Sequence, residues 1–257
     1  MPCMAYGVDP HRRAPYELRQ SRYEALGADV AAEARRIRAR DGAGRRVRLL
    51  DVGTFDGVAR RYVEVHPGSD CIDYEAVDIY PYGREYVYKH ADWRHHHIDL
   101  TGGLPGIASN AYDIVICEQV LEHLHSVERA IADLVRVVAP GGLLVVGVPI
   151  FTDGAHLLRR HLVPVLDRIF QPTRKRGHVQ AWSLRTFRNE WKRHPELEVH
   201  EARGFRIISG GVLRPLEFTR AWWKINRAIG AAVPGLCVEV QILGRKRAAS
   251  AAHPAAA

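Results

Sequence analysis

The 257-residue sequence has little cysteine, and none of it is paired. Cys3, Cys71, Cys117 and Cys237 lie far apart with no CxxC, so neither a disulfide framework nor a structural zinc site is expected. Cys117 and Cys237 fall in apolar runs, where a free thiol behaves as a small buried hydrophobe. No apolar run reaches the roughly 18 residues that a membrane span needs. The longest, "LLVVGVPIF" at 143–151, has strand length. The opening "MPCMAYGVDPHRR" lacks an apolar h-region, which argues against a secretory signal and makes the cytoplasm the expected location. Internal repeats are absent, and so is the G-x-G-x-x-G fingerprint of dinucleotide folds.

What is present suits a soluble globular chain: 47% hydrophobic and 26% charged residues, enough for one large domain or a domain with an elaborated lid. The net charge of +8 would favour an anionic partner such as RNA, a phosphorylated metabolite or a membrane surface. Its arginines are spread along several helices rather than gathered in one run, which reads equally as solvated helix decoration.

Periodicity predicts an N-terminal helix over 16–40, stopped by "DGAG", then a buried strand in "RVRLLDVG" and a short helix over 56–65. Further strands are expected in "DYEAVDIY" (73–80), "HHIDL" (96–100), "YDIVICEQ" (112–119) and "APGGLLVVGVPI", with a helix over 125–138. Strands alternating with helices argue for a doubly wound, mostly parallel sheet. Beyond Pro149 the pattern loosens. An Arg-studded apolar helix over 155–170, a basic loop "QPTRKRG", a helix over 183–194, a strand, a helix in "TRAWWKINRAIGAA" and a last strand are expected, followed by a low-complexity tail.

In such a sheet, ligands bind beyond the carboxyl ends of the strands. The first loop there, "DVGTFDG", has Asp51 before Gly53 and Gly57, an acid that suits a ligand with a cationic end rather than a pyrophosphate. Asp51-x-Gly53-x-x-x-Gly57 resembles the first motif, D/E-x-G-x-G-x-G, of the class I S-adenosylmethionine-dependent methyltransferases. Asp78 closes the second strand, "IDLTGGLP" follows the third, and "YDIVICEQVLEHL" and "VVAPGGLLVVGVP" match the fourth and fifth, over roughly residues 46–150. The resemblance implies a seven-stranded, Rossmann-like methyltransferase fold with a lid inserted after strand 5. It implies S-adenosyl-L-methionine as cofactor, held by Asp51, Gly53, Thr54, Phe55 and Gly57, by Asp78 and Ile79, by Asp99 and Leu100, and by Glu118, Gln119 and Val120. Phe55 departs from the pattern, because the family usually has its middle glycine there. Its ring either packs at the loop's tip or lines the site.

For a hydroxyl acceptor a positioned base is needed. The candidates are His123, His178, His156 and Asp153. In several relatives E-x-x-E-H binds a divalent metal. Here the corresponding residues are Gln119, Glu122 and His123, and an amide in place of a carboxylate weakens a hard-cation site. No metal is therefore expected, and Glu122 with His123 reads as a structural or base-supporting pair. His95, His96 and His97 alternate faces at a strand and cannot converge on one ion.

The division expected is an N-terminal arm and helix (1–45), a cofactor-binding core (46–150), a lid and acceptor-binding insertion (151–195), the rest of the sheet (196–247) and a tail (248–257). The expected activity is methyl transfer to a small-molecule hydroxyl, on a sugar, polyol or natural-product scaffold, with an anionic or lipid-linked acceptor as one form it could take. RNA methylation is the second reading, and a non-catalytic cofactor-binding protein the third. "CEQV" stands where DNA base methyltransferases carry [DNS]-P-P-[YFW], so DNA is not expected as a partner. A homo-oligomer is compatible with the N-terminal arm.

Overall fold

The computed structural model describes residues 18–55, 57–79, 94–165, 177–207 and 211–248. Seven strands form one sheet: β1 Val47–Val52, β2 Ile72–Asp78, β3 Arg94–His97, β4 Tyr112–Glu118, β5 Val138–Pro149, β6 Leu197–Phe205 and β7 Glu239–Lys246. Their spatial order is β3-β2-β1-β4-β5-β7-β6. The five N-terminal strands are parallel, and β7 runs antiparallel between β5 and β6. The order reverses between β1 and β4, which opens a crevice at their carboxyl ends.

Successive strand residues serve opposite faces. Leu49, Ile114 and Ile116 face Leu26 and Val30 of α1 (Ser21–Asp41) and Val63 of α2 (Val58–Glu64). Leu50, Val115 and Cys117 face Leu134 of α3 (Glu128–Val137) on the other side. Helices on both faces explain why these strands read as continuous apolar runs. Cys117 and Cys237 are buried, as their apolar settings imply.

Several boundaries differ from the periodicity. The first helix begins as a 3-10 turn, Leu18–Gln20, and becomes α-helical at Ser21. β3 covers Arg94–His97 rather than 96–100, because Asp99 accepts the Thr101 N–H at 2.9 Å and caps a turn over Leu100–Gly102. Beyond Pro149, α4 is α-helical over Ala155–Leu157 and then widens into a π-turn, Leu158–Leu162. Pro164 explains this, since it has no N–H and its ring crowds the carbonyl four residues back. The expected continuation over 166–170, most of "QPTRKRG", and the tail from 249 lie outside the described residues. Two further helices, α5 (Leu184–Trp191) and α6 (Arg220–Ala232), fall where expected, but a 3-10 stretch over Gly211–Phe218 was not legible. Trp182, Phe187 and Trp191 stack into the core with ring centroids 5.4 and 5.8 Å apart, so these two tryptophans are packing residues.

Candidate active site

β1 ends at Val52, just past Asp51, and the chain turns over the end of β2. The Gly53 N–H donates to the Val77 carbonyl at 2.7 Å, and the Gly57 N–H to that of Thr54 at 2.8 Å. Gly53 has φ +77°, and a Cβ there would sit 2.1 Å from Cγ2 of Val120. Both facts require glycine. The Thr54 hydroxyl donates to Asp51 Oδ2 at 2.9 Å, and the Phe55 N–H donates to Asp78 Oδ2 at 2.8 Å. Phe55 reaches that acid by adopting φ +47°, and its ring is exposed rather than packed.

These groups line a cavity of about 630 Å³ at the carboxyl ends of β1, β2 and β4. Eleven of the twelve expected cofactor-binding residues are on its wall; Gly57 instead caps α2, with φ +71°. Among the described residues the wall carries four carboxyl groups, Asp51, Asp78, Asp99 and Glu118, and neither lysine nor arginine. Glu118 leans away from its floor. The space above Gly147 admits its carboxylate, and Gln241 Nε2 donates to Oε1 at 2.7 Å. Burial pushes Glu118 up to about 7.

At the rim, the turn Leu121–His123 carries the proposed base-bearing group. Segment 177–182 is fastened over it: the Val179 and Gln180 N–H groups donate to the Glu122 carbonyl at 2.8 and 3.1 Å. Gln180 Nε2 donates to the carbonyls of Leu124 and His125 at 2.8 and 2.9 Å. This brings His178 edge-on to His123, ring centroids 4.8 Å apart. His123 lines the cavity, and its Nδ1 lies 2.5 Å from the Gly177 carbonyl oxygen. That contact places the proton on Nδ1 and leaves Nε2 as the basic nitrogen. Nε2 lies 3.9 Å from Oε1 of Glu122, a fully buried side chain that burial pushes up to about 8. His178 is lowered by burial and by its neighbours His123 and Arg159. Ligand atoms of Glu122, His123 and His178 lie within 4.8 Å of one another, so the cluster could also hold a divalent ion.

The other expected bases are elsewhere. Asp153 is exposed, 3.6 Å from Arg185, and His156 is buried in its own turn, accepting the Gly154 N–H at 3.3 Å. Neither lines the cavity. The histidine triplet diverges as expected: His96 meets Glu75 at 2.7 Å while His97 meets the Ile79 carbonyl at 2.7 Å. Tyr23, from α1, was missed. It lines the cavity, stacks on Tyr62 at 5.8 Å and lies under the Arg22 guanidinium, a placement no local motif signals.

Known proteins agree with this architecture. Residues 8–201 match a family model described as a methyltransferase domain. No curated protein matches the sequence significantly. A solved protein from Galdieria sulphuraria, described as a sarcosine dimethylglycine methyltransferase, superposes with TM-score 0.55 and 16% identity, covering 90% of this chain and 86% of that one. A chain of the Haloferax volcanii complex between a methyltransferase activator and a methyltransferase gives 0.53 and 16%, covering 88% and 97%. A methyltransferase from Bacillus halodurans gives 0.51 and 13%, covering 79% and 93%. At such identities the likeness is one of fold, while the family match spans most of the sequence. The chain belongs to the class I S-adenosylmethionine-dependent methyltransferases.

Proposed function

We propose that the cavity holds S-adenosylmethionine and that the chain methylates a hydroxyl group of a small molecule presented to His123. The observation that carries this reading is the donor set of the wall. Four carboxyl groups, with no lysine or arginine beside them among the described residues, repel phosphates and suit an ammonium and a sulfonium. The fit extends to two details: the glycine that keeps the Gly53 turn flush against Val120, and Gln119 Nε2, buried with no partner among the described residues. An amide donor of that kind suits a ligand carboxylate. When bound, the cofactor supplies a methyl group activated on a sulfonium.

The residues then divide the work. Asp78, oriented by the Phe55 N–H, would accept from the ribose hydroxyls. Asp51, oriented by Thr54, would face the ammonium. Asp99 and Leu100 would border the adenine, and Phe55 would cover the open side. At the rim, Nε2 of His123 takes the hydroxyl proton as the acceptor oxygen attacks. Glu122, whose Oε1 lies 3.9 Å from that nitrogen, would stabilise the resulting imidazolium in its ionised form. His178 presses edge-on against the ring and, kept neutral, adds no competing charge. A hydroxyl is favoured over an amine because only the former needs this base.

Calorimetry and labelled-methyl transfer test the reading. The wild type binds S-adenosylmethionine, Asp78→Ala binds it at least about tenfold more weakly, and label enters an oxygen of a hydroxylated small molecule. Absence of cofactor binding would sink the site assignment. Label found only on nitrogen or carbon would sink the hydroxyl reading alone.

A further inference from the structure

Helix α6 leaves an apolar face and a basic edge without a partner among the described residues. A helix lying on a globular protein ordinarily buries its apolar stripe, but the residues α6 buries are Asn226 and Gly230. The Ile207 N–H donates to Asn226 Oδ1 at 3.0 Å, and Asn226 Nδ2 donates to the Trp222 carbonyl at 3.0 Å. Gly230 abuts the Gly204 backbone so closely that a Cβ would lie 2.0 Å from the carbonyl oxygen. The helix is thus anchored through an amide and a backbone contact, while Ile225, Val233 and Leu236 stay exposed. Val212 and Phe218 in the preceding stretch are exposed too, Val212 by 94%.

A second exposed ridge, Leu157, Leu158 and Leu162, lies on α4. The two belong to one end of the molecule. Pro149 pairs with Glu239, and the Ile150 N–H donates to the Val238 carbonyl at 3.0 Å. The chain leaving β5 for α4 and the chain entering β7 from α6 therefore run side by side at the carboxyl end of the parallel strands, where the cavity opens.

Charge decides what fits there. Residues 154–165 contain no acid, and residues 211–238 contain one, Glu217, which is buried. Arg160, Arg214 and Lys224 are exposed among the aliphatic side chains. A second copy of the chain would set these cations against themselves, with no exposed acid in either segment to meet them. A nucleic acid would meet the cations and leave the leucines in water. An anionic phospholipid surface satisfies both, headgroups facing the cations and the acyl boundary receiving the aliphatics. We propose that this end of the protein docks on an anionic phospholipid surface. Attachment is peripheral, since among the described residues no helix is long and apolar enough to cross a membrane.

Co-sedimentation of the full chain with vesicles tests this, using phosphatidylcholine alone or mixed in equal parts with phosphatidylglycerol. The protein pellets with the mixed vesicles and stays in solution with phosphatidylcholine. Arg160→Glu with Lys224→Glu weakens vesicle binding at least about tenfold. Leu158→Asn with Ile225→Asn, which leaves the charge unchanged, weakens it about tenfold. Both variants keep the wild-type circular dichroism and cofactor affinity. If the apolar pair disturbs folding, Val212→Asn reads the same contact from a position that touches little. No pelleting with mixed vesicles overturns the proposal. So does undiminished binding by the folded asparagine variants, because cations alone would then account for it.

Discussion

Glu122 is fully buried, yet neither carboxylate oxygen has a hydrogen-bond partner among the described residues. Burial raises its pKa from 4.5 to about 8. The folded state therefore keeps a proton that the unfolded chain releases, and stability falls as pH rises from about 4.5 to about 8. Glu122→Gln removes that penalty. Its melting temperature exceeds the wild type's by several degrees at about pH 8.5, and the gap closes near pH 4. The same variant cannot ionise behind His123, so turnover falls by roughly one to two orders of magnitude while cofactor affinity holds. Thermal melts at the two pH values, with kinetics and calorimetry, check both halves. His123→Ala loses more, about 10²–10⁴-fold in turnover, again without weakening cofactor binding. Equal wild-type turnover would remove the histidine from the mechanism. The sequence named all three members of this cluster: Glu122 and His123 adjacent in one phrase, and His178 among the candidate bases. It could not show that segment 177–182 folds back on them, since the bonds from Val179 and Gln180 span more than fifty residues.

At the scale of elements, the parallel core was legible because β1, β2 and β4 are short, largely apolar and end at a glycine or an acid. Regions whose form depends on tertiary packing were not. Pro164 marks an interruption without showing that it takes the form of a π-turn over Leu158–Leu162, and nothing in the sequence announces that α6 rests on Asn226 and Gly230. Phe55 lies between these cases. Its departure from the glycine pattern was visible, but its φ of +47° and the bond from its N–H to Asp78 were not. The first turn also fixes the most demanding position. Gly53→Ala forces a side chain into the left-handed region and into Val120. We expect a loss of about 2–4 kcal/mol, roughly 5–15 °C in melting temperature for a domain of this size, together with loss of cofactor binding. Val120→Ala in the same chain relieves the clash and restores part of the stability. If Gly53→Ala melts like the wild type, the tight approach of the turn to Val120 is wrong.

Across the whole molecule, the N-terminal helix is tied to the far side of the sheet by buried charge. Arg22 of α1 donates to Glu239 of β7 at 2.8 Å and lies 3.6 Å from Glu118 of β4. Glu239 also accepts from Arg206 at 2.5 Å, and Arg203 on β6 bonds both Gln241 and Asp29 of α1. Strand ends that carry the cavity and the helix that contributes Tyr23 are thereby held in one frame. Burying such charges costs desolvation, so the network stabilises only while it is complete. Arg22→Met leaves Glu118 and Glu239 facing each other with less compensation and costs about 3–5 kcal/mol. It also loosens Tyr23, so cofactor affinity falls along with stability. Glu239→Gln added to Arg22→Met removes one of the stranded acids and recovers part of the loss. Chemical denaturation of the two single variants and the double variant gives the coupling energy directly. Strict additivity would show that Arg22 and Glu239 do not act as a pair, and that α1 is held without their coupling.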